Sequence, residues 1–148
     1  MTPMQEQIVT EARDWIGTPY VHQSAVKGAG TDCLGLLRGI WRTLHGSEPE
    51  EIPAYSMDWS EPQGEERLWT AALRHLQPKP LEDEAVGDVL LFRMRDSAVA
   101  KHLGVAGRLG DHASFIHAYS NHGVIESSLS LPWRRRIVAR FTFPEEAS

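Results

Sequence analysis

The chain contains a single cysteine, Cys33, and its position suits a nucleophile. Cys33 follows a loop that contains Gly28 and Gly30, and it stands at the start of a predicted helix. The first N–H groups of a helix have no partner within it and carry partial positive charge, which favours the thiolate form of a cysteine. A lone cysteine is also commonly a small buried apolar residue, so this position alone leaves both interpretations open.

A cysteine nucleophile requires a histidine as base and a third group that orients the histidine ring. Among the seven histidines, His102 and His117 lie on neighbouring predicted strands. If Gly110-Asp111 forms a two-residue hairpin turn, His117 faces Gly104, and His102 lies two residues further along on the same face. A register shift of one residue would place the two imidazoles on opposite faces, and both side chains could instead be ordinary core or surface histidines.

The hydrophobic pattern divides the chain into a helical first half and a strand-rich second half. Helices are predicted at residues 4–16, from Cys33 to Gly46 and at residues 65–76, with a proline-containing surface loop at residues 47–63. Short apolar runs separated by turn residues predict five strands: Asp88–Met94, Leu103–Leu109, Ala113–Tyr119, Gly123–Ser127 and Ile137–Phe143. This order predicts one α+β domain over residues 1–148, in which helices pack on an antiparallel meander.

Composition argues against several classes of protein. The formal charge of −5 disfavours a nucleic-acid binder, and one cysteine allows neither an internal disulfide nor a multi-cysteine metal cluster. His112, His117 and His122 are spaced so that successive side chains fall on opposite faces of a strand, and we therefore expect no metal and no cofactor.

The longest apolar run, Val89–Phe92, is too short to span a bilayer, and the first residues lack the apolar stretch of a signal peptide. We therefore expect no membrane association and synthesis in the cytoplasm.

The basic segment Trp133-Arg134-Arg135-Arg136 has two interpretations. It could contact an anionic partner, such as a wall polymer or another protein. The interpretation that the pattern favours is a solvated edge before the last strand.

Three segments occur in a characteristic order: Asp32-Cys33-Leu34-Gly35-Leu36 at a helix start, Lys101-His102-Leu103-Gly104-Val105 on one strand, and Phe115-Ile116-His117-Ala118-Tyr119 on the next. This set resembles the NlpC family of cell-wall cysteine peptidases, in which a D-C-x-G-[LF] helix start carries the nucleophile, an H-[VL]-G-[IV] strand carries the base and an [FM]-[IV]-H-A strand carries the orienting residue. The upstream Gly17-Thr18-Pro19-Tyr20 is similar to the G-x-P-Y segment of that family. The resemblance covers most of the chain and implies a compact papain-like fold.

The resemblance also implies a role for each matching residue. Cys33 attacks an amide carbonyl, His102 accepts and later returns a proton, and His117 orients the His102 ring. The Tyr20 hydroxyl and the Cys33 backbone N–H stabilise the oxyanion, and Asp32 receives the free amine of a trimmed stem peptide. The chain departs from the family pattern at Leu34, where many relatives have a serine that helps to bind the substrate amine.

The substrate that the resemblance implies is the peptide stem of peptidoglycan, often at the bond from γ-D-glutamate to the diamino acid. Residues Cys33–Arg42, followed by Gly46–Glu51, Pro53 and Tyr55, look most like the phage-tail and gene-transfer-agent branch. This predicts a peptidase that is incorporated into a phage-like tail, contacts tail or hub proteins, and opens the target cell wall for DNA delivery. Two alternatives remain: a structural tail protein with weak or lost activity, and a thiol amidase or acyltransferase acting on a non-wall substrate.

Overall fold

The computed structural model of the chain describes residues 2–48, 66–95 and 98–145. The helices within these ranges are α1 (Pro3–Asp14), α2 (Cys33–His45), α3 (Arg67–His75) and α4 (Leu131–Arg134). The first three confirm the predicted helices, whereas α4 falls where the sequence favoured a solvated edge. Most of the predicted loop at residues 47–63, with Pro53 and Tyr55, lies outside the described residues.

Specific caps define the ends of α1 and α2. The Thr2 hydroxyl accepts the Gln5 N–H at 3.1 Å, and the Gln5 side chain accepts the Thr2 N–H at 2.8 Å, which forms a capping box before Pro3. Helix α2 ends at Gly46, whose φ of 85° is left-handed and therefore suits glycine. These caps fix the start of α1 and the end of α2.

Antiparallel strands form a sheet with the order β3-β8-β4-β5-β6-β7. They are β3 (Gln77–Lys79), β4 (Val89–Phe92), β5 (His102–Arg108), β6 (Ser114–Tyr119), β7 (Gly123–Ser128) and β8 (Ile137–Thr142). The last five confirm the predicted strands, but β8 pairs with β4 and not with β7, so only β4 to β7 follow the predicted meander. Strand β3 was not predicted, because Pro78 indicates only the end of a helix; it is tolerated here because β3 lies at the edge of the sheet. Two further short strands, β1 (Ala25–Val26) and β2 (Gly30–Thr31), form a hairpin before α2.

The predicted two-residue turn at Gly110-Asp111 is wrong. Residues Gly110–His112 form a short 3-10 helix, and strand pairing resumes at Arg108 and Ser114. The connection between β5 and β6 is therefore longer than the predicted turn. Taken alone, this longer turn would move the pairing by one residue and reverse the faces of β5 relative to β6.

A β-bulge in β5 restores the predicted register. The pairing shifts between Arg108 and Ala106, so Gly107 is an additional residue on β5. Beyond the bulge Ala106 faces Phe115 and Val105 faces Ile116. This is the register that the two-residue turn would have given, and it keeps the two histidines of β5 and β6 on one face.

Both faces of the sheet are buried. On one face the apolar residues of α1 and α2 pack on the sheet, and the cluster includes Ile8, Ala12, Leu36, Ile40, Leu91, Leu103, Val105 and Ile116. On the other face the cluster contains Leu90, Phe92, Ala106, Ala113, Phe115 and Leu129. Successive residues of β4 alternate between the two clusters, which explains the unbroken apolar run Val89–Phe92. Among the helices of the described ranges, none is long and apolar enough to cross a bilayer.

Candidate active site

Cys33 is the first residue of α2, and Asp32 is the N-cap of that helix. Asp32 Oδ1 accepts the Gly35 N–H at 2.7 Å, so one of the unpaired N–H groups at the helix start is satisfied. A side chain at Gly35 would collide with the carbonyl oxygen of Ser24 and the hydroxyl of Thr31. The glycine therefore allows the first turn of α2 to lie against the preceding loop, and this contact holds the cysteine in place.

The thiol of Cys33 lies beside the start of β5, where His102 stands. Cys33 Sγ is 3.8 Å from the carbonyl oxygen of Lys101, and the residue is partly exposed. Burial of the sulfur and then the Asp32 carboxylate raise the pKa of the Cys33 thiol to about 12, against hydrogen bonds from backbone groups that include Leu103. The backbone on both sides of His102 thus contacts the sulfur, and the resting thiol is protonated at neutral pH. The expectation that the helix start favours a thiolate is therefore wrong for the resting site, because burial and the Asp32 charge outweigh the helix N-terminus.

His102 and His117 form a hydrogen-bonded pair. His102 Nε2 lies 2.7 Å from His117 Nδ1, with ring centroids 5.0 Å apart and planes at 80°. Burial and then the neighbouring His117 lower the pKa of His102 to about 3, and burial and then His122 lower the pKa of His117 to about 4. Both imidazoles are therefore neutral at pH 7, and Nδ1 is the ring nitrogen of His102 that is left to serve as a base.

Tyr20 lies close to the cysteine. It forms a parallel β-bridge with Thr31, the residue before Asp32. Burial raises the pKa of the Tyr20 phenol well above its usual range, and the charges of Cys33 and Asp32 raise it further. The phenol therefore stays protonated, and a neutral hydroxyl close enough to be influenced by the Cys33 charge is suitable as a hydrogen-bond donor. The oxyanion role of Tyr20 remains a prediction that this position favours.

The structure gives Asp32 a role within the fold. Its side chain is 3% exposed, Oδ1 caps α2, and Oδ2 accepts the Gln23 N–H at 2.7 Å and lies 3.8 Å from His22 Nδ1. The carboxylate thus joins the loop before α2 to the helix. The contact of Asp32 with a substrate amine remains a prediction. Leu34, which replaces the serine of many relatives, packs partly against the apolar cluster under α2.

Trp133 covers the histidine pair. It lies in α4, and its ring centroid is 5.9 Å from that of His102, 5.3 Å from that of His117 and 5.7 Å from that of Tyr119. The guanidinium of Arg136 lies over the same ring at 5.4 Å. The prediction of a solvated edge is therefore wrong for Trp133. The sequence signal that was missed is Pro132 after Ser130, a pattern typical of a helix start.

Ser127 is the second functional candidate that the sequence did not suggest. It lies on β7, and its Oγ is 2.9 Å from His117 Nε2. The hydrogen bonds therefore continue from His102 through His117 to Ser127. A serine on a strand carries no distinctive pattern, so it becomes apparent only from the pairing of β6 with β7.

The side chains of His112, His117 and His122, which are spaced by five residues, do not meet at one site. His117 pairs with His102, whereas His122 stacks on Tyr119 at 5.2 Å and His112 lies in the 3-10 helix. In the part of the chain that the structure describes, no group of three or more His, Cys, Asp or Glu side chains is arranged to hold a metal ion.

The sequence matches no protein-family model and no curated protein sequence. Solved structures nevertheless share its fold. The NlpC/p60 domain of the peptidoglycan hydrolase SagA superposes with a TM-score of 0.63 at 22% identity, over 94% of this chain and 98% of that one. A protein described as similar to lipoprotein, of the NLP/P60 family, from Staphylococcus aureus gives a TM-score of 0.62 at 18% identity, over 97% of this chain and 42% of its own length.

These likenesses confirm the predicted architecture. The chain has the α+β, papain-like fold of NlpC/P60 proteins, with helices on an antiparallel sheet. It spans less than half of the S. aureus chain. At these identities the likeness establishes the fold, and the activity has to be argued from the site.

Proposed function

We propose that this protein is a cysteine peptidase that hydrolyses amide bonds in the peptide stem of peptidoglycan. The observation that carries the proposal is the 2.7 Å contact between His102 and His117, at the strand start that also contacts the Cys33 sulfur. A thiol at a helix start, a buried imidazole and a second group that holds the imidazole are the components of a nucleophilic site. The shared fold with a domain of a peptidoglycan hydrolase supports the choice of substrate.

The first half of the reaction forms a thioester. Cys33 Sγ attacks the carbonyl carbon while its proton passes to His102 Nδ1, and the carbonyl electrons move to the oxygen. The Cys33 N–H and the Tyr20 hydroxyl are the donors that we assign to this oxyanion; loss of one such donor typically costs about 100- to 1000-fold in rate. The carbon–nitrogen bond then breaks, and His102 gives its proton to the departing amine.

The second half releases the acid. His102 accepts a proton from water as the water oxygen attacks the thioester carbon, and the tetrahedral intermediate collapses with cleavage of the carbon–sulfur bond. The proton returns to the Cys33 sulfur, which regenerates the neutral pair. His117 keeps the His102 ring in place throughout and accepts a hydrogen bond from its Nε2–H.

The finer assignment is that the chain cleaves between γ-D-glutamate and the diamino acid and acts from a phage-like tail. We base the tail on the segment Cys33–Arg42, which forms most of α2 and looks most like tail-associated relatives. On this proposal the protein is made in the cytoplasm, joins tail or hub proteins and acts on the wall of the target cell. Recovery of the chain in density-purified tail particles tests this part, and its absence from them would contradict it.

Digestion of purified muropeptides, followed by mass spectrometry, tests the activity. We expect the wild type to release fragments whose masses identify the γ-D-glutamyl bond, and Cys33→Ala to release none. Asp14→Asn, an exposed change on α1, is the control and should match the wild type. Equal cleavage by Cys33→Ala, or no cleavage by a folded wild type, would contradict the proposal and favour a structural role or a different amide substrate.

A further inference from the structure

We propose that Ser127 is a positioning residue that selects the tautomer of His117 and, through it, the tautomer of His102. The inference rests on the proposed function, because it assigns a task within the same site. It starts from two distances: 2.9 Å from Ser127 Oγ to His117 Nε2, and 2.7 Å from His117 Nδ1 to His102 Nε2. Three adjacent strands thus contribute one side chain each to a continuous chain of hydrogen bonds.

The register of the sheet places these three side chains on one face. On β7, Ile125 faces His117, so Ser127 lies two residues further along and points to the same side. On β5, Val105 pairs with Ile116, which sets Gly104 opposite His117 and places His102 two residues away on that side. His117 therefore has a diagonal partner on each neighbouring strand.

A neutral imidazole carries one proton on its two nitrogens, so each ring in the chain donates on one side and accepts on the other. His102 can take a proton from Cys33 only if its Nδ1 is unprotonated. Its proton is then on Nε2 and is donated to His117 Nδ1. His117 must consequently carry its own proton on Nε2, and Ser127 Oγ is the acceptor for that proton.

Loss of the Ser127 hydroxyl would remove the hydrogen bond that favours the Nε2–H tautomer of His117. Without Ser127 Oγ, the His117 Nε2–H has no partner on β7, and an unpaired buried donor is unfavourable. The opposite tautomer of His117 would place a proton on Nδ1, facing His102. His102 Nε2 would then accept, its proton would move to Nδ1, and the base would be blocked where it meets Cys33. A serine hydroxyl can donate as well as accept, so this selection requires the Ser127 proton to point away from His117, where the Ser127 oxygen accepts the His117 Nε2–H. In that orientation Ser127 favours the productive tautomers of both rings.

The test compares Ser127→Thr with Ser127→Val. The two side chains have similar size and the same β-branching, which suits a strand, but only threonine retains the hydroxyl. Ser128→Ala is the matched control, because Ser128 is the next residue of β7, is exposed and points to the opposite side. Thermal unfolding of all variants establishes that each is folded.

Nitrogen-15 NMR of the imidazoles reports the tautomers directly and requires no turnover. We expect Nε2–H for both histidines in the wild type, in Ser127→Thr and in Ser128→Ala. In Ser127→Val we expect the signal of His117 to shift toward Nδ1–H. A wild-type His117 with Nδ1–H, or an unchanged Nε2–H tautomer in Ser127→Val, would overturn the proposal.

Kinetics on stem peptides provide the second measurement. Ser127→Val should lower kcat about 5- to 10-fold, the change expected from one lost hydrogen bond, with little change in KM. Ser127→Thr should restore kcat. Equal activity of Ser127→Val and Ser127→Thr would overturn the catalytic part of the inference. If the wild type cleaves no stem peptide, the proposed function fails, whereas the NMR comparison still decides the role of Ser127.

Discussion

His102 Nε2 lies 2.7 Å from His117 Nδ1, with the two ring planes at 80°. The partner of the candidate base is therefore an uncharged ring, where many triads have a carboxylate. A carboxylate raises the pKa of the histidine beside it, whereas burial and then His117 lower the pKa of His102 to about 3. We infer that the imidazolium forms during the reaction and is not the resting state.

This neutral pair predicts how stability depends on pH. The pKa values of His102 and His117 are lowered from 6.5 to about 3 and about 4 in the folded chain, mainly by burial. Below about pH 6.5 the unfolded chain therefore binds protons that the folded chain does not. The free energy of unfolding should fall between pH 7.5 and pH 5.5 by about 1 kcal/mol for each histidine, as measured by urea denaturation.

Replacement of one histidine provides the control for this prediction. His117→Asn should reduce the difference in the free energy of unfolding between pH 7.5 and pH 5.5, because one of the two groups no longer titrates. Ser128→Ala should leave this difference unchanged, since Ser128 is exposed and a serine does not titrate between these pH values. Equal stability of the wild type at pH 7.5 and pH 5.5 would contradict the neutral, buried pair.

Asp32 should control the acidity of Cys33. After burial, the Asp32 carboxylate is the main group that raises the thiol pKa to about 12. Asp32→Asn removes the charge, so the thiol pKa should fall and alkylation of Cys33 by iodoacetamide at pH 8 should become faster. Asp14→Asn, which changes an exposed carboxylate, should leave the rate unchanged. Slower alkylation in Asp32→Asn would be inconsistent with this account.

Asp32 should also contribute to stability. Its two oxygens accept the N–H groups of Gly35 and Gln23. Asp32→Ala loses the helix cap and should lower the free energy of unfolding by about 1–2 kcal/mol. Asp32→Asn retains an oxygen for the cap and should lower the free energy of unfolding less than Asp32→Ala in the same urea titration. A larger loss in Asp32→Asn than in Asp32→Ala would argue against capping.

Trp133 should protect the histidine pair from water. Its ring lies within 6 Å of both imidazoles, at 5.9 and 5.3 Å between centroids. Trp133→Ala should lower kcat and raise the pKa of His102 toward 6.5, because burial is the main cause of the depressed value. Since Trp133 is only partly buried, we expect a loss of about 2 kcal/mol in stability, less than for a fully buried tryptophan.

Two further variants separate protection from simple loss of stability. Trp133→Phe keeps an aromatic ring and should retain most of kcat. Trp69→Ala removes a partly buried tryptophan that packs on the other face of the sheet, so it should lower stability and leave the pKa of His102 unchanged. An NMR titration in which Trp133→Ala also leaves the pKa of His102 unchanged would refute the protective role.

The sequence predicted the helices and most strands because their apolar residues recur at regular spacing. It also predicted that His102 and His117 share a face, although the assumed turn was wrong. The 3-10 helix at Gly110–His112 and the bulge at Gly107 are two departures that cancel. Local sequence signals indicate that a turn exists more reliably than they indicate its length.

Other features depend on contacts between distant residues. Ser127 lies on β7 and Trp133 in α4, and each meets the histidines only through the folded sheet. Strand β3 contains Pro78 and is formed through its pairing with β8. No periodicity encodes these contacts, so they could not be predicted from one sequence.

The activation of Cys33 by His102 is the central claim, and a cysteine-selective inhibitor tests it most directly. A vinyl sulfone built on a γ-D-glutamyl stem peptide should label the chain once, and tandem mass spectrometry should place the label on Cys33, the single cysteine. His102→Ala should slow the labelling at least 100-fold, in line with general-base catalysis. His112→Ala should label like the wild type. Labelling of Cys33 at the wild-type rate in His102→Ala would contradict the account.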